Sequence, residues 1–172
     1  SPIGAHHKDA WVIAWEVNFG RDGYSVEKIN KVIEFQQIRG GGFESLVTCR
    51  FPWMEVGFEL EWYPRFFEAA TGIKLNWEGI RNVGDRIYTL IRTFWVREYG
   101  SQWCRQLDYP PSRWFTEAPT KGPQKNVKLD IQGYGRMLDA YYDKRGWNRE
   151  GVPTRDTLQR LDLAEIAMSV GA

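Results

Sequence analysis

Between Asn76 and Gly100 one apolar stripe reads Ile80, Val83, Ile87, Leu90, Ile91 and Phe94. Successive spacings of three, four, three, one and three describe one face of an amphipathic helix. Asn76 is placed to cap its first-turn amides, and Gly100 marks its end. The same segment carries Gly79 and Gly84, each costing about 1 kcal/mol relative to Ala in a helix interior. Its own propensity is therefore too weak, and the rest of the chain must supply a surface for the apolar face to pack on.

The flanking sequence predicts further helices. Ser25 is a candidate cap with Glu27 in the first turn, followed by Ile29, Val32, Ile33 and Gln36 at helical spacing. Gly40-Gly41-Gly42 is expected to stop that helix, as a flexible joint or a place where another group comes close to the main chain. Another helix is predicted from about Glu59 to Thr71, with a kink or late start at Pro64. Asp130 caps a helix with the stripe Tyr134, Met137, Leu138, Tyr141 and Tyr142; Lys144, Arg145 and Gly146 suit its end. Thr154 opens a final short helix carrying Leu158 and Leu161, with Leu163, Ile166 and Met168 as its extension. The apolar run Trp11 to Trp15 reads as a buried strand or buried helix. Residues 101–129, rich in Pro, read as a long surface-wrapping loop. Strand signals are few, so the expected class is mainly α.

Composition narrows the function. A net charge of +1 over 172 residues lacks the basic field of a nucleic-acid-binding protein. No apolar run is long enough to predict a membrane span, and no secretory leader is visible. Cys49 and Cys104 are too few for a disulfide framework; they suit a reducing, cytoplasmic setting, as they would a secreted protein with one bridge. Aromatic residues make up 15% of the chain, a surplus that builds cores and large interfaces. With a start at Ser1 rather than Met, it suggests a piece of something larger.

Few residues suggest chemistry by themselves. His6 and His7 bear imidazoles, but adjacent side chains diverge, so the pair is a poor chelate for one metal. Cys49 lies shortly after the glycine run, with the cation Arg50 next to it. A lone thiol cannot hold an iron–sulfur cluster, which takes about four. Cys104 reads as structural. Glu59 and Glu61 are two apart and do not face each other on a helix. No phosphate loop, dinucleotide fingerprint or nucleophile elbow is present.

Taken in order, several stretches resemble the C-terminal part of the tungsten-containing aldehyde:ferredoxin oxidoreductase family. They are Ile3 to Lys8, Val32 to Gln36, Glu44 to Cys49, Gly84 to Tyr88, Arg92 to Phe94 with Arg97-Glu98, Pro111 to Pro119, Leu138 to Trp147, and Gly151 to Thr154. The resemblance implies the helical C-terminal domains of that fold, with residues 1–72 contacting cofactor and residues 73–172 forming a helical domain. It implies a tungsten or molybdenum bis-pterin, a [4Fe–4S] cluster, and aldehyde oxidation with electrons passed to ferredoxin or a similar iron–sulfur carrier.

Residue by residue, the resemblance makes Cys49 the fourth cluster ligand and Glu44 the acid that hydrogen-bonds the pterin. In the family's Asp-x-x-Gly-Leu-Cys motif, Glu44, Val47 and Thr48 stand where Asp, Gly and Leu are usual. His6 corresponds to a histidine beside the metal, a candidate proton-transfer group, and Lys8 to a cofactor contact near it. The other partners implied are the remaining domains of the same chain, and either a homodimer or a small electron-transfer subunit. The fragment alone is expected to be inactive. The alternatives are the tungsten subunit of an aromatic-CoA reductase of the benzoyl-CoA type, and a non-catalytic helical interaction module.

Overall fold

The computed structural model describes residues 12–20 and 23–170, with side-chain surroundings as far as Ala167. Among these residues the elements are helices and turns; the one β-type contact is an isolated bridge between Trp147 and Pro153. The chain is thus mainly α, as expected. Its α-helices are α1 (Val12–Phe19), α2 (Val26–Gln37), α3 (Phe51–Val56), α4 (Trp62–Thr71), α5 (Trp77–Tyr99), α6 (Arg113–Thr116), α7 (Ile131–Arg145) and α8 (Arg155–Arg160). None of the described helices is long and apolar enough to cross a membrane.

Four helix starts follow from local chemistry. The side chains of Ser25, Asn76, Asp130 and Thr154 each accept hydrogen bonds from first-turn amides of α2, α5, α7 and α8. These bonds satisfy amides that have no partner inside the helix. Pro64 lies in the first turn of α4, so that helix starts late instead of kinking. Asp162, at φ +56°, separates α8 from the 3₁₀ segment Ala164–Val170 that ends the described chain.

Two expectations on burial are corrected. The run from Trp11 to Trp15 is helical where described, yet no residue of α1 is buried, and Ile13, Val17 and Phe19 face outward. On α5, Leu90 and Phe94 are exposed, and the buried line runs through Ile80, Gly84, Thr89, Thr93 and Val96. Thr93 is tolerated inside because its hydroxyl donates to the Leu90 carbonyl at 2.7 Å.

The largest departure is at the glycines. The helix does not stop there: Ile38–Glu44 continues α2 as a π-helical segment, and Ile38 to Phe43 are all buried. A Cβ on Gly41 would sit 1.9 Å from the Ile80 carbonyl oxygen, and one on Gly84 would sit 2.7 Å from the Gln37 carbonyl oxygen. The backbones of α5 and the π segment therefore meet at glycine on both sides. The group that comes close to the main chain is another main chain.

Beneath the π segment, Ile38, Phe43 and Tyr63 form one core cluster, joined by Phe35, Trp53, Phe58 and Trp77. A second gathers Leu138, Tyr142 and Trp147 on and after α7. A third gathers Leu158, Leu161, Leu163 and Ala167.

Candidate functional site

Glu44 ends the π segment, and the loop that follows delivers Cys49. That loop is seated on the glycines. The Ser45 amide donates to the Gly40 carbonyl at 3.0 Å, and the Ser45 hydroxyl donates to the Gly41 carbonyl at 2.5 Å. The Thr48 hydroxyl donates to the Gly42 carbonyl at 3.1 Å, and the Thr48 amide to the Phe43 carbonyl at 3.0 Å. Tyr63, rooted in the core cluster, donates its hydroxyl to the Cys49 carbonyl at 3.2 Å. Burial first, and then the charge of Cys49, push the Tyr63 phenol up, so it stays a donor. A wide helical turn packed on α5 thus anchors a loop whose far end carries the thiol.

The thiol points outward. Cys49 is exposed, and the Phe51 amide donates to its Sγ at 3.4 Å. Glu44 is also exposed at 45%, whereas its ion-pair partner Arg39 is 4% exposed, with Nη2 to Oε1 at 3.1 Å. The Tyr88 hydroxyl lies within electrostatic reach of Arg39, Glu44, Arg145 and Tyr141; its burial dominates and pushes its pKa up to about 12. The loop therefore presents both Glu44 and Cys49 to the outside. His6 and Lys8 lie outside the described residues. Cys104 is partly buried and precedes a 3₁₀ turn, Arg105–Asp108.

Sequence patterning missed two polar networks. In the first, Arg145 at the end of α7 is 3% exposed and pairs with Asp85 of α5 at 2.5 Å. It also donates to the Gln36 side chain, while Gln37 donates to the other Asp85 oxygen at 2.8 Å. Burial works against the Arg145 cation, but Tyr141 and Asp85 outweigh it and hold its pKa above the usual range. This network ties α2, α5 and α7 together. In the second, Arg92 makes a two-pronged pair with Asp108 at 2.8 and 3.0 Å. The Arg92 guanidinium lies over the rings of Trp103 and Trp147, at 5.0 and 4.6 Å. Between the networks lies an open cavity of about 320 Å³, lined in part by Gln36, Tyr88, Ile91, Arg92, Asp108 and Trp147. Helix periodicity marks Arg145 only as a cation suited to the end of α7, and no local pattern names the partner of either arginine.

The family described as "Aldehyde ferredoxin oxidoreductase, domains 2 & 3" matches residues 1–163. The chain belongs to the aldehyde ferredoxin oxidoreductase family. The tungsten-containing aldehyde ferredoxin oxidoreductase of Pyrococcus furiosus is 29% identical over 141 residues, covering 82% of this chain and 22% of that protein. The proteins of the same name from Pyrococcus horikoshii and Thermococcus kodakarensis are 28% and 27% identical over the same share of each chain. The chain thus spans 22% of the length of these relatives. A solved structure, the active site complex BamBC of benzoyl-coenzyme A reductase with 1,5-dienoyl-CoA, is 27% identical with a TM-score of 0.49. That likeness covers 64% of this chain and 15% of the other. The mainly helical architecture is in keeping with this part of the aldehyde ferredoxin oxidoreductase fold.

Proposed function

We propose that this chain is the C-terminal part of a cytoplasmic oxidoreductase that oxidises aldehydes to carboxylic acids at a tungstopterin centre. In this reading electrons leave through a [4Fe–4S] cluster to ferredoxin. Family membership supports the reaction class, and the names of the relatives support tungsten.

The observation that carries the reading is the outward-facing Cys49 thiol on a loop clamped to a buried helical turn. A structural cysteine is ordinarily buried and inert. Among the described residues, no three His, Cys, Asp or Glu groups gather to hold a metal ion. One exposed thiol, with a backbone N–H on its sulfur, fits the role of single ligand to a cluster whose other thiolates come from elsewhere in the protein. Glu44 fits a pterin contact, because a half-exposed carboxylate accepts from the N–H groups of an aminopyrimidine edge.

The pterin-bound metal supplies oxygen transfer to a carbonyl carbon, and the cluster supplies single-electron transfer. The residues of this chain do the remaining work. Cys49 holds iron, and Glu44 and Lys8 orient the pterin. His6 takes a proton as the aldehyde and water become an acid, two protons and two electrons.

The test is to purify the full-length protein anaerobically and measure its metals and its aldehyde-dependent reduction of ferredoxin. Bound iron with tungsten or molybdenum, and ferredoxin reduction that requires aldehyde, are expected. A protein lacking iron, tungsten and molybdenum contradicts the reading. A metal-loaded protein that reduces an aromatic acyl-CoA and leaves aldehydes untouched would move it to the benzoyl-CoA type of chemistry.

A further inference from the structure

Arg39 and Glu44 are five residues apart. In an α-helix at 3.6 residues per turn, residues five apart point to different sides. In a π-helix, where hydrogen bonds run between residues five apart, they stack. The π segment Ile38–Glu44 therefore creates an ion pair that a continued α-helix would have separated. The segment adopts this form where glycine lets it press on α5. Such wide turns inside helices are frequent at functional sites.

The pair is asymmetric. The guanidinium is buried at 4% exposure, and the carboxylate looks outward at 45%. Exposed ion pairs contribute little because two mobile side chains must be ordered. Here the cation is already fixed by burial, so the pair mainly orders the acid. The backbone of Glu44 is held too, since its carbonyl accepts from the Val47 amide at 3.3 Å. A guanidinium presents its donors in a rigid fork, which fixes a carboxylate better than a point charge does.

We propose that Arg39 is a positioning residue: from inside the fold it holds the Glu44 carboxylate in the orientation from which that acid accepts the N–H groups of the pterin. The proposal rests on the assignment of Glu44 to pterin contact. It extends that assignment inward, to a residue that the cofactor does not touch.

The experiment uses the full-length cofactor-loaded protein and reads the rate of pterin release on dilution, through the fluorescence of the oxidised pterin. Circular dichroism melting monitors the fold. Glu44→Gln and Arg39→Met should each speed release by about tenfold, the scale of one charge-assisted hydrogen bond. The double variant should release no faster than either single one, because both substitutions remove the same interaction. Arg39→Lys, which keeps a cation, should release more slowly than Arg39→Met. If Arg39→Met does not fold, Arg39→Gln takes its place with the same expectation. A folded Arg39 variant that releases pterin at the wild-type rate overturns the proposal and leaves Glu44 in place. Additive effects in the double variant, or a Lys variant no slower than Met, overturn it too. If Glu44→Gln itself releases pterin at the wild-type rate, the Glu44 assignment fails first, and the role of Arg39 falls with it.

Discussion

Val47 adopts φ +52° in the loop between Glu44 and Cys49, and its side chain is 91% exposed. A β-branched residue resists this left-handed region, at about 1–2 kcal/mol, and an exposed side chain has little packing to offset the strain. The motif that this loop resembles has Gly at this position, and the positive φ gives the physical reason. Val47→Gly should therefore raise stability by about 1 kcal/mol after the extra chain entropy of glycine is counted; thermal unfolding reads it, and a lowered midpoint contradicts it. The buried pair acts in the opposite sense. Asp85→Ala leaves the Arg145 guanidinium inside the fold without its carboxylate, at a cost of about 3–5 kcal/mol, measurable by denaturant unfolding. A loss below about 1 kcal/mol would show that Gln36 and Tyr141 suffice for Arg145.

At the scale of elements, the helix starts were legible and the π segment was not. Ser25, Asn76, Asp130 and Thr154 announce helices because the capped amides lie two or three residues away. The continuation through Gly40 to Gly42 depends on α5, which is far off in sequence, and on Gly84 within it. A reading from local propensity sees three glycines and stops the helix. The tertiary reading sees two backbones that meet only where side chains are absent. For the same reason the exposed side of α5 was misplaced: partners set which residues are buried once Thr93 can satisfy its hydroxyl within the helix. Gly41→Ala drives a methyl into the Ile80 carbonyl at 1.9 Å, an overlap with backbone that no rotamer change relieves. It should cost about 3 kcal/mol and loosen the loop that carries Cys49. Faster amide exchange at Ser45 and Thr48 would report that loosening, and unchanged exchange would contradict it.

Over the whole molecule, phenols that are partly or fully buried make stability fall in alkali. Tyr88 is raised by burial from 10.0 to about 12, and burial also raises Tyr142 and Tyr134. The folded state keeps protons that the unfolded chain loses, so this stability is intact below about pH 10 and drains away as pH climbs through about 12. Tyr88→Phe should flatten that decline in an unfolding series against pH; an unchanged slope contradicts the role of Tyr88. How much of the candidate site could be read beforehand differs by residue. Cys49 and Glu44 stand as candidates through resemblance, because the loop is one contiguous motif. Arg39 was not, because its pairing exists only in a π turn, and the Asp85–Arg145 pair spans distant helices. What joins these parts is a folded platform with an exposed cysteine at its edge, which the proposed function assigns to iron. Iron content and the electron paramagnetic resonance of the full-length protein, compared with its Cys49→Ala variant, test that directly. About four irons per protein and a reduced-cluster signal are expected, with both lost or depleted in a variant that still folds; a folded Cys49→Ala protein with its iron and its signal intact would contradict the assignment of Cys49.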